Sequence, residues 1–317
     1  MCSEYCGILD SQYILESQIG NGGFSKVYKA HSLDKILAVK IFEQFNEEIK
    51  KEVEKEIKFN QKILESKEKN HFFIKYISSS LNGTLEIVGN KEKKCYIVFE
   101  LASKVDLSQY IESKKIGLNE INCKVISYKI LKALQALHKI GICHRDIKAE
   151  NIFLDGERFD VKIGDFGLSN FIYGQNGKIV QKEIVGSYEY MAPEIIEGKE
   201  YDGEKADIFS TGILIFTLLA NFFPFPIVNN ITKKRKYYSV FNSKKNENYW
   251  KMLKDLGVEF SLEFKDLFKK MVARKPNKRP TIEEILNHNW MKKITNLNEE
   301  EFKKYEDDLI RELKKRE

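Results

Sequence analysis

The residues that can do chemistry cluster in His144-Arg145-Asp146-Ile147-Lys148-Ala149-Glu150-Asn151. The apolar run Ile152 to Leu154 follows, and then Val161-Lys162-Ile163 leads into Asp165-Phe166-Gly167. Two carboxylates, a lysine and an asparagine thus fall within one short hairpin-like stretch, and apolar residues flank each turn of it, so the polar groups sit on a rigid support. A carboxylate placed beside a hydroxyl can accept its proton. A carboxylate and an amide oxygen together suit a hard cation such as magnesium, which prefers oxygen ligands. A lysine can neutralise an anionic group between them. The bland alternative is a structural hairpin with Asp and Asn as turn residues, and the remaining parts of the chain decide between the two.

Upstream, Ile19-Gly20-Asn21-Gly22-Gly23-Phe24-Ser25-Lys26-Val27-Tyr28 is a glycine-rich turn between two strands. Glycines there let backbone N–H groups approach phosphates, although an ordinary hairpin turn has the same look. Leu37-Ala38-Val39-Lys40 ends an apolar strand on a lysine. Asn46 to Leu64 has apolar residues at Ile49, Val53, Ile57, Phe59 and Ile63, a spacing that predicts a helix. Ser66 to Asn70 and Asn82 to Lys94 read as polar loops around a strand near Ile74 to Ser80, and Tyr96 to Ala102 as a further strand. Helices are expected over Leu107 to Glu112 and Asn119 to His138. Downstream stand Gly186-Ser187-Tyr188-Glu189-Tyr190-Met191-Ala192-Pro193-Glu194, Asp207-Ile208-Phe209-Ser210-Thr211-Gly212 and Arg274-Lys275-Pro276-Asn277-Lys278-Arg279-Pro280-Thr281.

These motifs, in this order, resemble the eukaryotic protein kinases of the serine/threonine type over Tyr13 to Trp290. The resemblance implies an α+β, two-lobed fold: a kinase domain over 13–293, with a β-rich small lobe (13–102) and a mainly helical large lobe (103–293). A charged helical extension (294–317) follows, with Phe302, Tyr305, Leu309 and Leu313 at helical spacing. It implies ATP and Mg2+ as cofactors and protein substrates as partners. Asp146 would accept the substrate hydroxyl proton, Lys148 would neutralise the phosphoryl group in flight, and Asn151 and Asp165 would hold the metal. Ile19, Gly20, Asn21, Gly22, Gly23, Phe24, Ser25 and Val27 would cover the nucleotide, with Ala38 beside it. Lys40 would contact the α- and β-phosphates and pair with a helix glutamate; Val53-Glu54-Lys55-Glu56-Ile57 best resembles the family pattern, so Glu56 is chosen ahead of Glu52. Phe99 would be the gatekeeper, Glu100 and Ala102 the backbone partners of adenine, and Asp106 an acceptor for the ribose. Lys148 and Ser187 favour the serine/threonine class, and Arg279 should pair with Glu194 in the interior.

Several positions depart from the pattern. Ser25 stands where the third glycine is usual, Asn60 where an apolar residue usually packs toward the DFG phenylalanine, and Phe209 where tryptophan is usual. Between Asp165 and Gly186 the only hydroxyl residues are Ser169 and Tyr173, and Glu183 occupies the place where related kinases carry a phosphothreonine that pairs with the arginine before the catalytic aspartate, here Arg145. A kinase active without activation-loop phosphorylation is therefore expected. Asp106 and Glu150 resemble carboxylates that favour a basic residue before the target hydroxyl, but Thr217 stands where strongly basophilic members have a glutamate, so the expected preference is moderate.

Composition bounds the rest. With 317 residues and 42% hydrophobic content the chain can build a sizeable core. Its net charge of +6 comes from 53 basic and 47 acidic residues largely interspersed, a solvated surface rather than a nucleic-acid footprint. Cys2, Cys6, Cys95, Cys123 and Cys143 show neither zinc-ligand pairs nor a disulfide framework. The first residues show neither the basic start nor the apolar run of a signal peptide, so secretion is not expected, and acylation at Cys2 or Cys6 is weighed below free thiols. The longest apolar stretch, Gly212 to Val228, is broken by Asn221, Pro224 and Pro226 and reads as a buried helix, not a membrane span. A cytoplasmic location is expected, with nuclear access through Lys233-Lys234-Arg235-Lys236 as a further option. The oligomeric state is left open.

Overall fold

A computed structural model describes residues 6–66, 70–104, 106–113, 117–175, 177–225, 246–255 and 257–315. Cys2 and the basic run Lys233 to Lys236 lie outside the described residues. The chain forms two compact units, one of residues up to Ser103 with Gly164–Gly167, the other of Lys104–Ile163 and Leu168 onward.

In the first unit, six strands close an antiparallel barrel: β1 (Gly7–Leu9), β2 (Tyr13–Asn21), β3 (Ser25–Ser32), β4 (Lys35–Phe42), β5 (Tyr76–Ile87) and β6 (Asn90–Glu100), in the order β1-β2-β3-β4-β6-β5. Closure is made by β1, which precedes Tyr13 and pairs with both β2 and β5. The two-residue period of a strand sends Leu37, Val39 and Ile41 into the barrel interior with Leu9, Leu15, Ala30 and Val98, while Lys40 takes the opposite face of β4. Helix α1 (Glu47–Glu65) starts at Asn46, whose side chain accepts from the Ile49 N–H. Its Ile49 and Val53 pack with Phe42, Cys95 and Ile97, so β6 is covered on both faces, which explains its unbroken apolar run.

The expectation of a polar loop over Asn82 to Lys94 is corrected. β5 and β6 run on as one long hairpin, with a bulge between Ser80 and Gly83 and the pair Ile87–Asn90 enclosing a two-residue turn. Val88 and Gly89 both have positive φ (47° and 82°), as a type I′ turn requires. A β-branched residue in the first of those positions is rare, and the cross-strand residues are mostly exposed lysines and glutamates, so the sequence offers little strand signal.

The second unit is mainly helical. It contains α2 (Leu107–Glu112), α3 (Glu120–Lys139), the short strand β7 (Ile142–Cys143), and the hairpin β8 (Ile152–Asp155) and β9 (Asp160–Ile163). β10 (Asn170–Phe171) pairs with β7, and β11 (Tyr173–Gly174) with β12 (Gly177–Lys178). There follow α4 (Pro193–Ile196), α5 (Gly203–Ala220), α6 (Asn246–Asp255), α7 (Leu262–Met271), α8 (Ile282–Leu286), α9 (Asn289–Thr295) and α10 (Glu299–Lys314). α5 is buried nearly all round, begins one turn before Asp207, and ends on Asn221 in the left-handed conformation. Phe216 gathers the rings of Phe260, Phe264, Phe268 and Trp250 around it.

Helix α10 is amphipathic and docks on α3 of its own unit. A capping box at Asn298 and Glu301 starts it. Leu309 and Leu313 are buried, Phe302 packs on Tyr128, and Glu312 accepts from Asn119 (2.8 Å) and Asn122 (2.5 Å). Glu306 is paired with Lys129 of α3 at 2.6 Å and with Arg158 of the β8–β9 turn. Leu309→Ala should therefore destabilise the domain by about 2–5 kcal/mol in urea unfolding, whereas Glu300→Ala on the exposed face should leave the midpoint unchanged. Equal midpoints for the two variants would show that α10 is not part of the core.

Candidate active site

In the first unit, the turn joining β2 to β3 is held by the Gly22 N–H donating to the Ser25 carbonyl (2.8 Å). Ile19 and Asn21 to Phe24 are exposed, Gly20 and Val27 half-buried, and Ser25 buried at the start of β3. Ala38 lies opposite Phe99, and Lys40 lies between Val27 and Ile97. Glu100 turns its carboxylate to the Lys75 N–H (3.0 Å) while its own N–H donates to the Lys75 carbonyl; Ala102 is half-buried.

Three charged groups meet here. Lys40 Nζ donates to both Glu56 carboxylate oxygens (2.8 and 2.9 Å) and to Asp165 Oδ1 (2.8 Å). Burial works against the Lys40 ammonium, but the Asp165 and Glu56 carboxylates outweigh it and hold the lysine above its ordinary pKa. Glu56 is buried whereas Glu52 is exposed, so the lysine's partner is Glu56. Asn60, one turn on, is buried too and donates back to the Glu56 carbonyl (2.9 Å); its polar side chain is met by its own helix. Phe166 meets Phe73 edge-on. At Gly167 any Cβ would come within 3.2 Å of Glu56 and 3.5 Å of Lys40, so the missing side chain leaves room for the ion pair.

In the second unit, the buried carboxylate of Asp207 accepts from the backbone N–H groups of His144 (2.8 Å) and Arg145 (2.7 Å) and contacts His138 Nε2 (2.8 Å). It fixes the loop bearing Asp146. Asp146 Oδ1 accepts from the Ser187 N–H (2.7 Å), and Oδ2 lies 2.9 Å from Lys148 Nζ. Asn151 Nδ2 donates to the Asp146 carbonyl (2.9 Å) and carboxylate (3.2 Å), which leaves its amide oxygen as the group able to meet a cation. Lys148 donates to Ser187 Oγ (2.8 Å). Gly186 makes this approach possible: its φ is +110°, and a Cβ would sit 2.7 Å from the Arg145 carbonyl. Asp106 caps α2 by accepting from Ser108 and Gln109, and its second oxygen takes the Gln109 side chain (2.7 Å).

Residues 13–291 match the family model described as "Protein kinase domain". The chain belongs to the protein kinase family. Similar curated proteins include the serine/threonine-protein kinase kin-29 of Caenorhabditis elegans, 39% identical over 196 residues, 62% of this chain and 22% of that protein. The carbon catabolite-derepressing protein kinase of Secale cereale is 32% identical over 283 residues (88% and 51%), and CBL-interacting protein kinase 11 of Oryza sativa is 30% identical over 292 residues (92% and 53%). The chain spans about half or less of the length of these relatives. They support a eukaryotic serine/threonine protein kinase, and kinases of this family generally use ATP with Mg2+.

The kinase domain anchors its segment 186–194 through a buried ion pair. Arg279 donates to both oxygens of Glu194 (2.6 Å each) and to the carbonyls of Lys205 and Ala273, with its guanidinium 5.0 Å above the Phe209 ring. The phenylalanine that replaces tryptophan thus supplies the flat surface beneath Arg279. Sequence reading missed Gln181, a buried residue whose Oε1 accepts from Arg145 (3.2 Å) and Asn170 (2.8 Å). A lone glutamine in a polar segment carries no signal of that. Glu194→Gln should cost about 3–5 kcal/mol, because it strands a fully buried guanidinium; wild-type stability of that variant in denaturant titration would contradict the pairing's role.

Proposed function

We propose that this kinase domain transfers the γ-phosphoryl group of ATP to serine or threonine hydroxyls of protein substrates. The observation that carries the reading is the Asp146 carboxylate, held in contact with Lys148, Asn151 and the Ser187 amide. Asp146 accepts the proton of the attacking hydroxyl, and Lys148, hydrogen-bonded to Ser187, offsets the charge that develops on the transferring group. Lys40, kept cationic and aimed by Glu56, grips the α- and β-phosphates, while the turn Gly20 to Ser25 offers backbone N–H groups. The Asp165 carboxylate and the Asn151 amide oxygen are each the kind of oxygen donor that magnesium prefers, and the ion's charge would neutralise the phosphates. The strand end from Phe99 to Ala102 takes the adenine and Asp106 the ribose. None of the lysine, the proton acceptor or the metal ligands is replaced, which separates this reading from that of a binding module without turnover.

Asp146→Asn should keep ATP affinity and lose rate by about 10²–10⁴-fold, whereas Asp165→Asn should lose the magnesium dependence of nucleotide binding. Full phosphotransfer by Asp146→Asn would sink the assignment.

For the substrate we propose a moderate preference for a basic residue before the target hydroxyl, since Glu150 is exposed and Asp106 lies at the start of α2. Thr217 is buried, with its hydroxyl bonded to the Ile213 carbonyl, and adds no charge. A positional peptide library should show arginine enriched a few residues N-terminal to the acceptor, and a flat profile would refute the preference. Among the described residues no helix is long and apolar enough to cross a membrane. A reducing, cytoplasmic setting fits the free thiols of Cys95, Cys123 and Cys143, each of which burial pushes above the ordinary thiol range.

A further inference from the structure

We infer that Glu183 and Gln181 are positioning residues that hold Arg145, and through it the segment carrying Ser187, in working order with no phosphate on the protein. The inference rests on the kinase reading above and deepens it by naming how the site is kept assembled.

Arg145 precedes Asp146, and its side chain is only 1% exposed, so each donor needs a partner and the charge needs a counter-charge. Nε donates to the Leu168 carbonyl (2.6 Å), Nη2 to the Ser169 carbonyl (3.5 Å), and Nη1 to Gln181 Oε1 (3.2 Å) and to the Tyr201 hydroxyl (3.5 Å). These partners are neutral. Among the described residues the one carboxylate paired with Arg145 is Glu183, 2.7 Å from Nη1. Glu183 faces solvent on its outer side, but the guanidinium does not, so screening of the pair is weaker than between two surface charges.

The stretch is fixed at both ends. Gln181 exchanges both backbone hydrogen bonds with Tyr201 (2.8 and 2.9 Å), and its amide nitrogen donates to the Phe171 carbonyl (3.2 Å). The Tyr201 hydroxyl donates to the Glu183 carbonyl (3.0 Å). Four residues beyond Glu183, Ser187 meets Asp146 and Lys148. Gln181 and Glu183, two apart on an extended chain, share a face, and both meet Nη1.

Between Asp165 and Gly186 no hydroxyl is placed to do this work as a phosphate, and Tyr201, which does meet Nη1, is buried. Ser169 is fully buried, with its hydroxyl on the His144 carbonyl (3.4 Å). Tyr173 is exposed, in the β11–β12 hairpin, which is tied through Lys178 to Asp202 and Glu204 (2.6 Å each). The counter-charge is therefore built into the chain and permanent.

The test uses the full chain produced in bacteria, treated with phosphatase and checked for zero phosphates by intact mass. Steady-state rates on a basic protein substrate are measured for wild type, Glu183→Asp, Glu183→Gln and Gln181→Leu, alongside their melting temperatures. Phosphate-free wild type should turn over. Glu183→Gln, nearly isosteric, should lower kcat by about 10-fold or more with the KM for ATP unchanged, as the loss of the counter-charge facing a buried guanidinium implies. Glu183→Asp should recover most of the rate, and Gln181→Leu should lower kcat in the same way. Rate losses that merely follow melting temperature would reduce both residues to a structural role and overturn the inference, as would an unchanged Glu183→Gln. Phosphate-free wild type that is inactive until an upstream kinase phosphorylates it would overturn the inference alone. Inactivity in both states would overturn the kinase reading itself.

Discussion

Asp207, a carboxylate with no exposure to solvent, holds the loop bearing Asp146 in a shape its backbone would not choose alone. Arg145 has φ of +66°, a conformation that costs a residue with a Cβ about 1 kcal/mol or more. In that conformation Asp207 receives two backbone N–H groups, from His144 and Arg145. Two consequences follow. The Arg145 side chain is directed into the interior of its unit, where a guanidinium must be matched, and the Asp146 carboxylate is presented to Ser187 and Lys148. The matching of Arg145 then recruits Leu168, Ser169, Gln181 and Glu183. The geometry around Asp146 and the path of the segment are in this sense one electrostatic problem.

The first unit solves a parallel problem with opposite signs. Glu56 is a buried acid, and burial pushes its carboxyl up, against the pull of Lys40. Asp165, also in a left-handed conformation (φ +59°), brings a second carboxylate to the same ammonium. One cation is thus shared by two acids. Gly167 keeps the space around it open.

Much of the site could be read from the chain because its parts are set by spacing along continuous elements. A lysine at the end of an apolar strand, and Asp146, Lys148 and Asn151 within one loop, have little freedom to fall elsewhere once the strands and helices form. The Glu194–Arg279 pair was legible only through the resemblance of Ala192-Pro193-Glu194 and Arg274 to Thr281 to the kinase pattern, since the stretch around Arg279 is polar and gives no sign of burial. Illegible features depend on local geometry instead. The β5–β6 hairpin turns on a Val88 with positive φ that no turn rule favours, β1 is only three residues long, and Asn60 is satisfied by its own helix. Gln181 acquires its role only when the fold brings it to Arg145.

The account's central claim is that the segment from Gln181 to Ser187 is ordered by the chain's own side chains. Amide hydrogen exchange on the phosphate-free protein tests it most directly. The N–H groups of Gln181, Tyr201 and Ser187, bonded to Tyr201, Gln181 and Asp146, should exchange as slowly as those of His144 and Arg145. Exchange at the rate of an unstructured chain, slowing only after phosphorylation, would contradict it.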